Sequence, residues 1–304
     1  MQVSTIIKLI IPIIVLSITS CTQTENPQEN QSAVTEESGA LMLNFWNGNR
    51  SDARMDYERK VLIALLEATE ADFGAWEINE YDDEYPGDEE SLVFTEKGHD
   101  LFVTIAGNAK FSGQDAIIIP ELLTRNLLGY RIPIIREEDA EKFRNIETKE
   151  EIQQLVHGIP ETWSDAVIFR ENGFQVAEEG DFEDVFDRLA AGRFDYSAYG
   201  ANEVLSIYEN RASLREGLTM DHNLLLFYQF PLVFYVHPEK TDLAERIGEG
   251  MRIISTNGVL DSIFEQHYGS IVDELDLTNR KLIILDNPLI PDAYRNLVPE
   301  LDKL

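Results

Sequence analysis

The sequence predicts an α/β fold arranged in two lobes, and three observations lead there. The chain has 304 residues, which at roughly 100 to 200 residues per domain allows two lobes and a substantial core. Its 43% hydrophobic, 27% charged and 10% aromatic residues form a globular balance, unlike that of a disordered or coiled-coil chain. Short apolar runs alternate with segments of helical period, the pattern of α/β units on largely parallel sheets. No internal repeat at a fixed period is present.

Lys8, an apolar run over residues 9–16 and the small residues Ser17-Ile18-Thr19-Ser20 before Cys21 have the layout of a secretory signal. The run is too short for a permanent span and contains Pro12. Residues 22–39, TQTENPQENQSAVTEESG, have almost no apolar content and read as a disordered tether.

The folded body is expected from Ala40. Leu41-Met42-Leu43-Asn44-Phe45-Trp46 reads as a buried strand followed by the turn Asn47-Gly48-Asn49. Asp52 is placed to cap a helix whose inward face is Tyr57, Val61, Ala64, Leu65 and Ala68. Residues 77–90 form an acidic loop turning at Pro86-Gly87. Strands are expected over 100–105 and 116–119, a helix over 120–128, and an extended YRIPII over 130–135, because Pro133 disfavours helix before it. Thr148 and Glu151 make a capping box for a helix over 149–157, with Gly158 as its stop.

A helix over 181–191 precedes Gly192, then a strand and loop over 193–199 and a helix over 202–209. LVFYV over 232–236 is extended. Helices over 242–255 and 259–268 and a late strand over 281–285 complete the body.

The formal charge of −31 repels polyanions, so nucleic acid is excluded as a partner. The five histidines are scattered with no HExxH spacing, and no GxSxG elbow, phosphate loop or GxGxxG follows a strand. The chain is therefore read as no enzyme, without cofactor or metal. The carboxylates at 82–84 and 88–90 lack the ligand rhythm of a calcium loop.

Two resemblances sharpen this reading. Ile18-Thr19-Ser20-Cys21 resembles the bacterial lipobox, which implies that Cys21 is acylated, becomes the mature N-terminus and ties the protein to a lipid membrane at the bacterial cell envelope, facing the periplasm or the cell exterior. Residues 41–268 resemble the family 3 periplasmic solute-binding proteins, which mostly deliver polar amino acids to ABC importers. The stretches that carry the resemblance are the first strand and helix, YRIPIIREED, NIETKEEIQQLVHG, DVFDRLAAGRFDYSAYG, PLVFYVHPEKTDLAERIGEGM and TNGVLDSIFEQHYG.

The resemblance implies a two-lobed periplasmic-binding-protein-like fold with two crossover hinge strands. Residues 1–20 would be the signal peptide, 21–39 the tether, 40–130 plus 237–304 lobe 1, and 136–230 lobe 2. The function implied is a membrane-tethered binding protein that closes on a small polar solute, serving an ABC permease or a sensor. The alternative is a structural or protein-interaction lipoprotein with a non-functional cleft.

Candidate ligand-binding residues follow. Trp46 and Asn47 come after the first strand, where the family places ligand-stacking aromatics. Thr104 begins the region in which amino-acid binders of the family carry a Thr and an Arg for the α-carboxylate, but Thr104–Lys110 contains no Arg. Arg131 and Arg125 are the substitutes, with a surface salt bridge the simpler role for Arg125. Trp163 sits in a turn-rich loop suited to contact. Asp195, Tyr196 and Tyr199 follow Gly192-Arg193, near the family position that meets a ligand amine, so Asp195 is either a cation partner or one side of a buried salt bridge. Aromatic faces, an acidic group and a negative field favour a cationic, zwitterionic or neutral solute.

The anchor is tested by Cys21→Ala, for which an unprocessed or membrane-free protein is expected on fractionation. Processed protein remaining in the membrane fraction would overturn the lipobox reading.

Overall fold

The computed structural model describes residues 39–304. The signal segment, Cys21 and all but the last residue of the tether lie outside the described residues. Among those described, no helix is long and apolar enough to cross a membrane.

The body begins with β1 (Leu41–Trp46), α1 (Asp52–Ala68), the short α2 (Glu70–Phe73), β2 (Trp76–Tyr81), β3 (Leu101–Ile105) and β4 (Ile117–Ile118). Then come β5 (Tyr130–Arg136), α3 (Ala140–Arg144), α4 (Lys149–Ile152), β6 (Val156–Ile159), α5 (Asp165–Glu171), β7 (Gln175–Glu178), α6 (Val185–Ala190), β8 (Tyr196–Gly200), α7 (Val204–Asn210), β9 (Leu218–Met220) and β10 (Leu224–Phe227). The chain finishes with β11 (Leu232–Val236), α8 (Thr241–Thr256), α9 (Val259–Leu275) and β12 (Lys281–Ile284).

These strands form two sheets. The first has the order β2-β1-β3-β11-β4, and the second runs β12-β10-β5-β8-β6-β7 with β9 also paired to β5. Both are mixed rather than largely parallel. β1, β2 and β3 are mutually parallel, as are β6, β7 and β8, whereas β11 is antiparallel to β3 and β5 to β8. The chain passes between the sheets just before β5 and again just before β11, so two lobes joined by two hinge crossovers are observed, with a further passage where the C-terminal segment visits the second sheet.

The final strand lies elsewhere than the sequence placed it. β12 was grouped with lobe 1 as part of 237–304, yet it pairs in parallel with β10 over four residues and belongs to the second sheet.

In the first lobe α1 buries Tyr57, Val61, Leu62, Leu65 and Leu66, at the 3.6-residue spacing expected. Its cap is Ser51, whose hydroxyl accepts from Arg54 N, in place of the predicted Asp52. α8 packs across α1 so closely that a Cβ on Gly250 would lie 2.8 Å from the Leu65 carbonyl oxygen. The opposite face of the sheet is covered by an aromatic cluster of Trp46, Phe94, Phe102, Phe111, Tyr235 and Tyr294.

Three other local expectations change. The Thr148–Glu151 capping box is present, with both reciprocal bonds, but its helix ends at Ile152 and Val156–Ile159 is a strand. Gly158 is required there because Phe194 packs where a side chain would stand, with ring carbon Cε2 2.2 Å from an added Cβ. Residues 120–128 do not form a regular helix. Arg125 and Asn126 take left-handed backbone, and the Asn126 side chain accepts from Phe230 N at 2.8 Å. The start of the acidic loop is β2, whose inward residues Trp76, Ile78 and Glu80 alternate with exposed ones.

Gly250→Ala tests the α1–α8 contact. Overpacking against backbone is expected to cost about 1 to 3 kcal/mol, seen as a lower thermal midpoint, whereas Gly248→Ala, which meets nothing within 4 Å, should leave it unchanged or raised.

Candidate functional site

The parallel strands of the two lobes end facing one another, and the loops that follow them border an open cleft of about 470 Å3. One wall comes from Asn49 after β1, Tyr85, Gly87 and Glu90 after β2, and Lys110 after β3. The other comes from Pro160–Trp163 after β6 and Gly180–Phe182 after β7. Ligands of open α/β sheets lie beyond the carboxyl ends of strands, and this volume is in the range of small-molecule sites.

The first wall is fixed by Asn49. Its amide nitrogen donates to the Tyr85 carbonyl at 2.6 Å and to Glu90 at 2.8 Å, and its oxygen accepts from Tyr85 N at 2.8 Å. Left-handed backbone at φ 58 aims it there, a conformation Asn tolerates better than most residues. Tyr85 stacks on Trp46 with ring centroids 5.2 Å apart and shares a hydrogen bond with His99 at 2.9 Å. Glu90 also pairs with Lys110 at 2.8 Å.

In the second wall Trp163 packs on Phe182 at 5.5 Å and edge-on to Tyr199 at 6.3 Å. Thr162 holds a positive φ of 71, unusual for a β-branched residue and a strain worth relating to the site. The walls meet here, since a Cβ on Gly87 would lie 2.8 Å from Thr162 Oγ1.

Behind the cleft runs a seam of buried charge. On the first lobe Glu58, fully buried, receives Arg50 Nη1 at 2.5 Å and Arg54 Nε at 2.6 Å. On the second, Arg131 Nη2 meets Asp165 at 2.7 Å while Arg131 Nε donates to the Tyr228 hydroxyl, which donates on to Asp165. Glu203 lies 4.0 Å from Arg131. Burial pushes the Glu203 carboxyl up, against the pull of Arg54 across the lobes and of Arg131. Burial opposes the charge of Arg131 too, but Asp165, Tyr228 and Glu203 outweigh it and raise its pKa. Burial wins at Arg50, whose pKa is lowered despite Glu58.

Each half of the seam is unbalanced. Two guanidiniums share one carboxylate on the first lobe, and two carboxylates share one guanidinium on the second. Between them Asn202 is buried with only the Tyr268 hydroxyl beside its amide, the two placed too loosely for a well-formed hydrogen bond.

Of the residues singled out from sequence, only Trp163 lines the cleft. Trp46 is buried under Tyr85 with its indole N–H donating to the Asp83 carbonyl at 3.0 Å. Asn47 is buried and donates to Met55 O and Glu80. Thr104 accepts from Asn108 at 2.9 Å. Arg131 is in the seam, wholly buried. Arg125 binds Asp261 and Glu265 at the surface.

The cluster from β8 needs correction. Asp195 precedes β8, at the end of the strand away from the cleft, and bonds Val156 N and Lys142. Burial would raise its pKa, but these contacts and Arg136 lower it instead. Tyr196 is buried and stacks on His157 at 4.6 Å. Tyr199 is buried against Phe186 and hydrogen-bonded to Ser197. Sequence reasoning missed Tyr85, Asp181, Arg54 and Glu203; for Tyr85 and Asp181 the usable signal was position in the loop after a strand end.

Neither a family model nor a curated protein sequence matches the chain. Its fold is nevertheless that of solved two-lobed periplasmic binding proteins. The chain is similar to the probable amino-acid ABC transporter extracellular-binding protein ytmK of Bacillus subtilis, with a TM-score of 0.57 and 12% identity over 76% of this chain and 99% of that one. An ancestral arginine-binding protein bound to arginine aligns with a TM-score of 0.52 and 14% identity over 75% and 98%. A histidine kinase sensor domain with similarity to periplasmic binding proteins gives 0.52 and 13% over 76% and 96%.

His157 supplies a test of the packing below the cleft. It is buried between Tyr196 and Phe169, accepts from Ala198 N, and burial followed by the nearby Arg131 holds its pKa well below 6.5. A depressed pKa means that only the unfolded chain takes the proton as pH falls below about 6.5, so stability drops from there downward, at up to about 1.4 kcal/mol per pH unit. His157→Gln should give a shallower loss between pH 7 and 5 in denaturant titrations. His99 and His267 are depressed in the same sense, so the difference between the two proteins is the readout, and parallel curves would refute it.

Proposed function

We propose that this chain is a membrane-tethered, extracytoplasmic solute-binding protein whose cleft between the lobes takes a small solute carrying positive charge, a cation or a zwitterion. The observation that carries the reading is the chemistry of the cleft. Its wall offers the aromatic faces of Tyr85, Trp163 and Phe182 and the carboxylates of Glu90, Glu161 and Asp181 against a single ammonium, Lys110, already paired with Glu90. A cation over an aromatic face gains about 0.5 to 2 kcal/mol. The seam behind complements a zwitterion, with cationic excess on the first lobe and anionic excess at Glu203 on the second.

Structural neighbours described as an arginine-binding protein, as a probable amino-acid ABC transporter binding protein and as a histidine kinase sensor domain support delivery to an importer or a sensor. The lipobox supports an acyl anchor at Cys21, and two membrane-binding signals suffice for stable attachment. One observation favours the second reading, an interaction lipoprotein with an inactive cleft: Arg50, Arg54 and Arg131 already hold carboxylates of their own chain.

Thermal shift and calorimetric titration with lysine, putrescine, glutamine and glutamate separate the two. A bound solute at 100 times its Kd should add about 2.7 kcal/mol of stability. Lysine or putrescine is expected to bind, and glutamate at least about tenfold more weakly. Trp163→Ala should weaken every ligand, and Asp181→Asn the cations most, by roughly tenfold for about 1.4 kcal/mol. No shift with any of the four supports the interaction reading, and tight glutamate binding overturns the assignment of charge.

A further inference from the structure

Two crossovers are all that a two-lobed chain of this topology needs, yet here the polypeptide passes between the lobes twice more. α9 packs on α1 and α8 in the first lobe. The chain then reaches the second sheet, where Arg280, buried, ties the Leu275 carbonyl at the end of α9 to the Asp221 and Leu224 carbonyls around the start of β10. β12 extends that sheet, Leu285 N continues the ladder to Phe227 O, and Asn172 of the second lobe brackets Asp286 through both its amide atoms.

The segment returns at once to the first lobe. The Leu289 carbonyl rests on Gly107, where a Cβ would be 2.1 Å away. Ile290 and Tyr294 are buried in the aromatic cluster of the first sheet with Phe102, Phe111 and Tyr235.

On the way it is bonded to both crossovers. The carbonyls of Gln229 and Leu297 receive Asn287 Nδ2 and Gln229 Nε2, at 2.7 and 2.9 Å, in the link before β11. Glu300 N donates to the hydroxyl of Tyr130, the first residue of β5, at 2.7 Å. The Lys303 carbonyl is finally held by Arg125, which is clamped to Asp261 and Glu265 of α9.

We propose that residues 285–304 are a strap that holds the two lobes near their closed angle. Hinge bending needs changes of backbone dihedral in the crossovers, and both crossovers are bonded to a third segment whose ends are rooted in different lobes. Opening must break the Tyr130 and Gln229 contacts or pull Ile290 and Tyr294 from the core. The inference rests on the fold alone and stands whatever solute the cleft takes.

The test measures distance between spin labels on Glu96→Cys and Glu171→Cys, exposed positions on the first and second lobes, in the full chain carrying Cys21→Ser. Without added solute the intact strap should give one short distance, with an open form in no more than about a tenth of molecules, the usual ceiling for a minor state. Ile290→Ala with Tyr294→Ala should make the longer distance the major species, and Gln229→Ala should raise its share severalfold. A large open population in the intact protein, or folded strap variants with an unchanged distribution, would overturn the strap. Should the double variant unfold, Gln229→Ala decides alone, with an unchanged distribution counting against it.

Discussion

Where the chain leaves one sheet for the other before β5 and before β11, it enters the new sheet from the side that faces the old one. This constraint sets the direction of β5 and β11, and through them the rest of the molecule. β5 runs away from the cleft and is antiparallel to β8; β11 does the same against β3. The mutually parallel strands within each lobe, β1 to β3 and β6 to β8, therefore end at the cleft. Every wall residue comes from a loop after one of these ends, so cleft and crossovers are one topological fact.

Facing strand ends bring loops together, and loops bring polar groups that the closed seam must satisfy. Burying ions is costly unless their partners are well placed, and removing one partner of a buried pair commonly costs about 3 to 5 kcal/mol. The pairs Arg50–Glu58, Arg54–Glu58 and Arg131–Asp165 meet that demand within each lobe, and the Tyr228 hydroxyl relays between Arg131 and Asp165. What they leave is an excess of opposite sign on the two faces. The amide of Asn202 between them, with only the Tyr268 hydroxyl loosely beside it, marks where satisfaction is least complete.

Period and punctuation made the helices of the first lobe readable, since α1, α8 and α9 are long and carry one apolar face. They made short elements less so. A capping box announces where a helix starts and says little about its length; four residues on, the run Val156–Ile159 gains more by pairing with β7 and β8 than by continuing α4. β2 alternates as an edge strand should, but its exposed residues Glu77 and Asn79 and inward Glu80 hide that pattern inside an acidic stretch. Trp163 could be read as a cleft residue because a loop aromatic has few packed alternatives. Asp195 could not be placed, because position before or after β8 decides whether a carboxylate meets the cleft or the far end of the sheet. Arg54 and Glu203 influence each other's charge only through the fold, from lobes joined by distant segments.

The C-terminal strap holds the lobes together before any solute arrives, while the seam leaves charge of opposite sign on the two lobes. A ligand shifts an equilibrium only by its differential affinity for the two states, and apparent affinity falls by the fraction of protein in the competent form. A protein already closed escapes that reduction and binds with its intrinsic affinity, while the solute must enter through a narrow, transient opening. Such a site gains affinity through preorganisation and gives up speed of exchange. The strained Thr162 against Gly87 lies at the lip where both lobes touch. Exchange through the lip, with the crossovers held still, is the motion this architecture makes least costly.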